Sequence, residues 1–195
     1  MFALSTSRFT QPDDPSLSCL HQTGDLLQYL ALPASLGIVA NAMTLRDATE
    51  GDLDALMLLL ADDPISATRG DIGAGDDRPA YLVALHTITS DPANALLVVV
   101  DASDSVVGTM QLTRIPGMAR RGSTRLLVEA VRVRSDQRSS GIGGAMMRWV
   151  TDVASRDFES DLVQLTSDAA RGDAHRFYEC LGFTGSHVGF NWRVK

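Results

Sequence analysis

The sequence predicts a mixed α/β (α+β) domain, a sheet of six to seven strands flanked by about four helices. Three observations predict it. After residue 43, short strand-like runs alternate with stretches of helical period, the pattern of a sheet with helices packed on it. Two β-branched runs, 96–100 and 106–113, are joined by Asp101-Ala102-Ser103-Asp104-Ser105, a short turn suited to antiparallel strands. A chain of 195 residues, 45% of them hydrophobic, can bury one full core and is short for more than one domain.

Residues 1–42 are rich in Ser, Thr, Pro and Gly, with one brief apolar patch at 26–32, and read as an N-terminal extension not required to be ordered. The domain is expected over 43–195. Thr44-Leu45-Arg46 opens it as a strand. Thr49-Glu50-Gly51-Asp52 then caps an amphipathic helix carrying Leu53, Leu56, Met57, Leu59 and Leu60, and Asp62-Asp63-Pro64 stops it. Residues 65–79 contain four glycines or prolines and several charges, so they read as a mobile loop before a second helix at 80–89. Pro116-Gly117 ends the strand that begins at 106. Residues 125–134 make a long strand, followed by a helix over 141–156 with Ala145, Met146, Trp149, Val150 and Val153 at helical spacing. A strand at 162–166, a helix at 174–181 stopped by Gly182, and a strand pair within 184–194 complete the order.

Composition narrows the function. A net charge of −7, with 24 acidic against 17 basic residues, argues against a nucleic-acid binder, which needs a concentrated positive field. Cys19 and Cys180 lie far apart and show no metal or disulfide spacing, so no metal is expected and a reducing cytoplasm is the simplest compartment. No apolar run approaches the roughly 18 residues of a membrane span. Residues 30–42 mimic the apolar part of a signal peptide, but the leader before them is long and carries Asp13, Asp14 and Asp25 instead of a short basic start.

The informative segment begins at Val131-Arg132-Val133-Arg134, a strand that turns through Ser135-Asp136-Gln137-Arg138-Ser139-Ser140 into Gly141-Ile142-Gly143-Gly144 at a helix start. Amides in a first helical turn have no intrahelical partner, the dipole adds positive charge, and glycines let an anion come close. The loop is therefore a candidate phosphate cradle, with a plain structural turn as the other reading. A dinucleotide fingerprint requires a third glycine where Met146 stands, and a P-loop requires a lysine, while the chain's one lysine is Lys195.

Arg138-Ser139-Ser140-Gly141-Ile142-Gly143 instead resembles the central motif of the Gcn5-related N-acetyltransferase (GNAT) superfamily, Gln/Arg-x-x-Gly-x-Gly/Ala after a strand. Ala174, Phe177, Tyr178, Gly182 and Phe183 are similar in spacing to that family's second signature, Asn-x-x-Ala-x-x-Phe-Tyr-x-x-x-Gly-Phe, and follow in the right order. The resemblance spans residues 43 to about 190. It departs at Arg171, which stands where many members have Asn; Arg171 is expected to reach a phosphate instead.

The resemblance implies a GNAT-like fold with a mostly antiparallel, twisted central sheet. It implies acetyl-CoA as cosubstrate between strands diverging near 131–133 and 162–166, with the pyrophosphate at 138–144. The cofactor-binding set is then Val131, Arg132, Val133, Arg138, Ser139, Ser140, Gly141, Ile142, Gly143, Gly144 and Arg171. Amides of Val131 and Val133 would bond the pantetheine, one of them polarising the thioester carbonyl. Glu129, two residues before Val131 and read as sharing its face, is the candidate general base, with a sheet-edge charge or an anchor for the substrate amine as the other readings. Tyr178 is the candidate acid toward the departing thiolate, against an amphipathic tyrosine at the core's margin. Phe177, Phe183 and Cys180 read as core. His175 and His187, with His21 and His86, form no ligand set. Arg120, Arg121 and Arg125 read as solvated loop charge. Asp62, Asp63, Asp71, Asp76 and Asp77 border the expected acceptor pocket and would favour a cationic amine, or are solvated.

The expected function is acetyl transfer to a primary amine of a small molecule or protein terminus, without nucleic acid or membrane, in a protein for which a homodimer is the prior expectation. The alternative is a silent acyl-CoA-binding module, and retained Glu129 and Tyr178 favour the enzyme.

Overall fold

A computed structural model describes residues 30–38, 42–192 and 194. The sheet has six strands in sequential order: β1 (Ala34–Ser35), β2 (Thr44–Asp47), β3 (Asn94–Val100), β4 (Val106–Pro116), β5 (Thr124–Val133) and β6 (Leu162–Leu165). Neighbours are antiparallel except β5 and β6, which run parallel. The mixed fold with a mostly antiparallel sheet is thus as the sequence predicts.

The helices follow from local chemistry. A 3-10 turn (Glu50–Asp52) leads into α1 (Leu53–Ala61), and the Thr49 amide donates to Asp52 Oδ2 at 2.8 Å. Asp52 is 6% exposed and is held by a two-pronged bond from Arg46 of β2, Nη1 to Oδ2 at 2.8 Å and Nη2 to Oδ1 at 2.9 Å. Burial alone would raise the Asp52 pKa, and these bonds with those from Thr49 bring it below its ordinary value. The span expected as a mobile loop is partly structured, with α2 (Pro64–Ala67) and a 3-10 turn before α3 (Arg78–Ser90). Ser66 supplies the reason: its amide bonds Asp63 Oδ2 at 2.9 Å and its side chain is buried. After β4, α4 (Ala119–Gly122) is a turn with positive φ at Arg120 and Arg121, which lie exposed.

The long helix past the cradle is α5 (Ile142–Trp149), a π turn (Val150–Ala154) and α6 (Ser155–Asp157). Ile142, Ala145, Met146, Met147, Trp149 and Val150 of this helix are buried. They form the larger core with Leu45, Leu97, Met110, Leu112, Leu126 and Val128. A second core joins α1 and α3 to the opposite face through Leu53, Leu56, Leu85, Val98 and Val100. α7 (Gly172–Cys180) lies against the larger core through Phe177, Tyr178, Leu181 and Phe183.

Two differences concern the ends. Residues 30–38, read as part of the extension, belong to the sheet and core: Leu30 and Leu36 are buried and β1 pairs with β2. The rest of the extension, with Cys19 and most of the apolar patch at 26–32, lies outside the described residues. The expected strand pair within 184–194 is absent among the described residues. Val188, Phe190, Trp192 and Val194 are 80% to 93% exposed, because no sheet edge receives them. Cys180, expected in the core, is also exposed.

Candidate functional site

The site starts from a defect in β5. Thr109 of β4 faces Arg132 and Gln111 faces Glu129, so Met110 stands opposite two residues, Ala130 and Val131. This is a β-bulge, and it draws Ala130 to φ 51, a conformation a residue with a Cβ reaches only under strain. Side-chain alternation shifts by one there, since Val128 and Val131, three apart, both pack on the larger core. Glu129 therefore shares its face with Arg132. It does not share it with Val131, as simple alternation predicted.

The bulge also opens the sheet. β5 pairs with β6 only from Arg125 to Val128, and β6 ends at Leu165 while β5 runs on to Val133. The Arg134 amide donates to Val107 O of β4 at 2.9 Å. By alternation along the strand, the amides of Val131 and Val133 point the other way, toward the side β6 has vacated. A cleft of about 770 Å³ fills that space, lined by residues 128–133, the loop after β5, the start of α5, and Phe177 and Tyr178 of α7.

At one end of the cleft stands the glycine-rich turn. Gly141, the N-cap of α5, has φ 90, which favours glycine, and the α5 ladder begins with Ala145 N to Gly141 O at 2.9 Å. Gly143 lies beside Phe177, where a Cβ would meet the ring in ordinary van der Waals contact at 3.4 Å. Ser139 has φ 62, and Ser139, Ser140 and Arg138 are exposed. The Arg138 guanidinium is tied back, donating to Val133 O at 3.1 Å and to the Asp62 carboxylate at 3.0 Å. Arg148, which sequence reasoning missed, folds over Gly144 one turn earlier and lines the cleft. Its i+4 spacing from Gly144, on the helix that opens with the cradle, was the available signal.

Tyr178 is half-buried and lines the cleft, in edge contacts with Phe177 and Phe183 at centroid distances of 5.0 and 5.9 Å. Burial raises its pKa, against the pull of Arg132 and Arg171. Glu129 is exposed and lines the same cleft. Arg171 caps α7 and pairs with Asp63 beside α2, so its guanidinium reaches a carboxylate and not the glycine turn. Arg132 donates through Nη2 to Ser66 Oγ at 2.7 Å and lies 3.7 Å from Asp63. Burial works against the charged Asp63, but bonds from Ser66 and the two arginines hold it below the usual carboxylate range.

The acidic residues expected to attract a cationic amine are largely engaged. Asp62 accepts from the Ser135 amide at 2.7 Å and from Arg138, and Asp71 accepts from Tyr81 at 2.6 Å, a bond that with burial pushes the phenol up to about 12. Arg125 donates to Gln164. His175 contacts the Asp168 carbonyl and His187 contacts Ser186. Among the described residues no group of three His, Cys, Asp or Glu is arranged to hold a metal, and no helix is long and apolar enough to cross a membrane.

Comparison with known proteins adds a family. Residues 57–183 match the model of the acetyltransferase (GNAT) family. A transcriptional regulator from Bacillus halodurans C-125 is 36% identical, with a TM-score of 0.71 over 78% of this chain and 99% of that one. Glucosamine-6-phosphate N-acetyltransferase from Arabidopsis thaliana shares the fold at 14% identity, with a TM-score of 0.63 over 78% and 99% of the two chains. AAC(6')-Iy, in complex with the bisubstrate analog CoA-S-monomethyl-acetylneamine, does so at 14% identity and a TM-score of 0.61, over 78% and 98%. No curated protein matches the chain.

Proposed function

The chain belongs to the GNAT family of acetyltransferases and is an N-acetyltransferase; from that premise we propose that it moves the acetyl group of acetyl-CoA directly to a primary amine while both are bound. The observation that carries this reading is the cleft opened by the β5 bulge, with an anion-receptive helix start at one end and Tyr178 between its walls. In this reading the pantetheine adds to the edge of β5 as a strand would, bonding the amides of Val131 and Val133. The pyrophosphate takes residues 138–144, where helix amides and dipole favour negative charge, and Arg148 supplies a cation.

The amine attacks the thioester carbon on the face of β5 that carries Glu129 and Arg132. Glu129, through water, takes the amine's proton, and the Val131 amide stabilises charge on the carbonyl oxygen. As the carbon–sulfur bond breaks, Tyr178 gives its phenolic proton to the leaving sulfur. Arg171, paired with Asp63 beside α2, lines the cleft away from the proposed phosphate site.

Titration of the protein with acetyl-CoA and with CoA, at two salt concentrations, is expected to give saturable micromolar binding that weakens with salt; no binding of either would sink the reading. Glu129→Gln is then expected to lower kcat/KM about 100-fold at pH 7. The deficit should narrow as pH rises and free amine forms without help, and thiol release across pH checks this. Equal rates at every pH would remove Glu129 as the base.

The homodimer reading rests on the C-terminal segment. Val188, Phe190, Trp192 and Val194 recur at the period of a strand, and β6 ends the sheet with its outer edge open among the described residues. Each protomer offers this segment to the β6 edge of its partner, which would bury an apolar row that otherwise invites association. Sedimentation is expected to show a dimer for the chain and a monomer for a version ending at His187. A monomer in both cases would count against it.

A further inference from the structure

We propose that the acceptor amine carries a carboxylate and that Arg132 and Arg171 receive it, which makes an amino acid, or a molecule with that arrangement, the substrate class. The inference rests on the acetyltransferase reading above and deepens it.

Asp62 and Asp63 are paired with Arg138 and Arg171, and Asp71, which accepts from the neutral Tyr81 phenol, keeps its charge within range of Arg132. Five arginines line the cleft with Glu129 and Tyr178; Arg138 is tied to Asp62 and Arg148 folds over Gly144, which leaves Arg69, Arg132 and Arg171. Arg69 is matched by Asp168. Arg132 and Arg171 share the single carboxylate of Asp63, one at 3.7 Å and the other in direct contact. Two guanidinium charges thus meet one close carboxylate.

That arrangement is costly in the absence of a further anion. The side chains of Arg132 and Arg171 are only 17% and 21% exposed. Arg132 Nη1 donates to Val131 O at 2.8 Å and Nη2 to Ser66 Oγ, while its Nε is buried with no hydrogen-bond partner. A buried donor left unpaired is unfavourable, and a carboxylate that reaches this guanidinium gains a charge-assisted bond. Desolvation first, then the neighbouring Arg171, push the Arg132 guanidinium below its ordinary pKa, with Asp63 and Asp71 opposing.

The bulge also sets the spacing. It puts Glu129 and Arg132 on one face of β5, separated by the equivalent of two strand steps, roughly 7 Å. Glu129 faces an amine and Arg132 faces an anion, so one short molecule carrying both groups spans them beside the edge amide of Val131. A simple alkylamine fills only the first of these places. A polycation sets its extra charge against the arginines.

The test measures thiol release with the free amino acids and, for each one used, with its carboxamide and its decarboxylated amine, at saturating acetyl-CoA. For the wild-type protein, kcat/KM for the amino acid is expected to exceed that of either analogue by about 10- to 100-fold, the worth of a charge-assisted bond. Arg132→Gln, with Arg171→Gln as a second variant, should bring that ratio to within about threefold of unity. Preference for the carboxamide or the amine, no turnover of any amino acid, or a ratio unmoved in both variants overturns the proposal. Calorimetric titration of the same preparations with acetyl-CoA keeps the two readings apart: loss of binding in the wild type overturns the acetyltransferase reading itself, whereas binding without carboxylate preference overturns this inference alone.

Discussion

Tyr178→Phe is expected to lower kcat about 100-fold or more at pH 7 while leaving the affinity for acetyl-CoA within about twofold, the range of a positioned proton donor. The substitution removes one oxygen and keeps the ring, so the edge contacts with Phe177 and Phe183 and the packing on the larger core persist. What is lost is a proton within the cleft at the moment the thioester bond breaks. A thiol with an ordinary pKa of about 8.5 leaves as an anion unless a donor meets it, and the anion is the poorer product in a partly desolvated cleft. The environment of Tyr178 suits a proton donor, because burial raises the pKa of its phenol above the ordinary tyrosine value and the two arginines only partly oppose that. The group is therefore protonated throughout the neutral range, and its titration contributes no loss of rate there. Steady-state thiol release and calorimetry on the same preparation check both halves. An unchanged kcat would remove the acid role. A parallel loss of affinity and thermal stability would mean the hydroxyl serves the fold.

The regular elements were legible because each is announced locally. Thr49 and Asp52 bracket a helix start, the runs at 96–100 and 106–113 have the side chains of strands, and Gly182 ends α7 with φ 91. The glycine-rich turn was legible for the same reason. The bulge was not. Nothing in Glu129-Ala130-Val131 marks Ala130 as the residue that leaves the ladder, because the bulge is decided by pairing with Met110 and by the parting of β5 from β6. The reading of Glu129 as sharing a face with Val131 failed there, since a period of two holds only while the ladder is unbroken. The partners of the acidic residues near α2 were hidden for a different reason. Sequence counts Asp62, Asp63 and Asp71 as negative charge beside a pocket, whereas their partners Arg138, Arg171 and Tyr81 lie 76, 108 and 10 residues away. Long-range pairing turned an apparent anionic rim into the framework holding two arginines. The strand pair read within 184–194 is absent among the described residues, since a strand-like run does not specify which edge receives it.

Gly141→Val is expected to weaken acetyl-CoA and CoA alike by about 100-fold, a loss matching about 2.7 kcal/mol. The glycine sits at φ 90, where a β-branched residue is held only at a cost of about 1–3 kcal/mol, so the turn into α5 relaxes toward negative φ and the first helical amides turn from the cleft. Packing is not the obstacle, because a Cβ built at Gly141 meets no protein atom within 4 Å. The new side chain points into open space, which in this reading is where a phosphate approaches. The two causes separate with Gly141→Asn, since asparagine tolerates positive φ better than other residues with a side chain. If strain on the amides dominates, asparagine recovers most of the affinity; if the approach itself is blocked, asparagine binds nearly as poorly as valine. In both variants the loss should be equal for acetyl-CoA and CoA, because the cradle reads phosphates and not the acetyl group, and the salt dependence of the remaining binding should flatten as phosphate contacts disappear. Wild-type affinity in Gly141→Val would mean that the pyrophosphate lies elsewhere and that the glycine turn serves only to start α5.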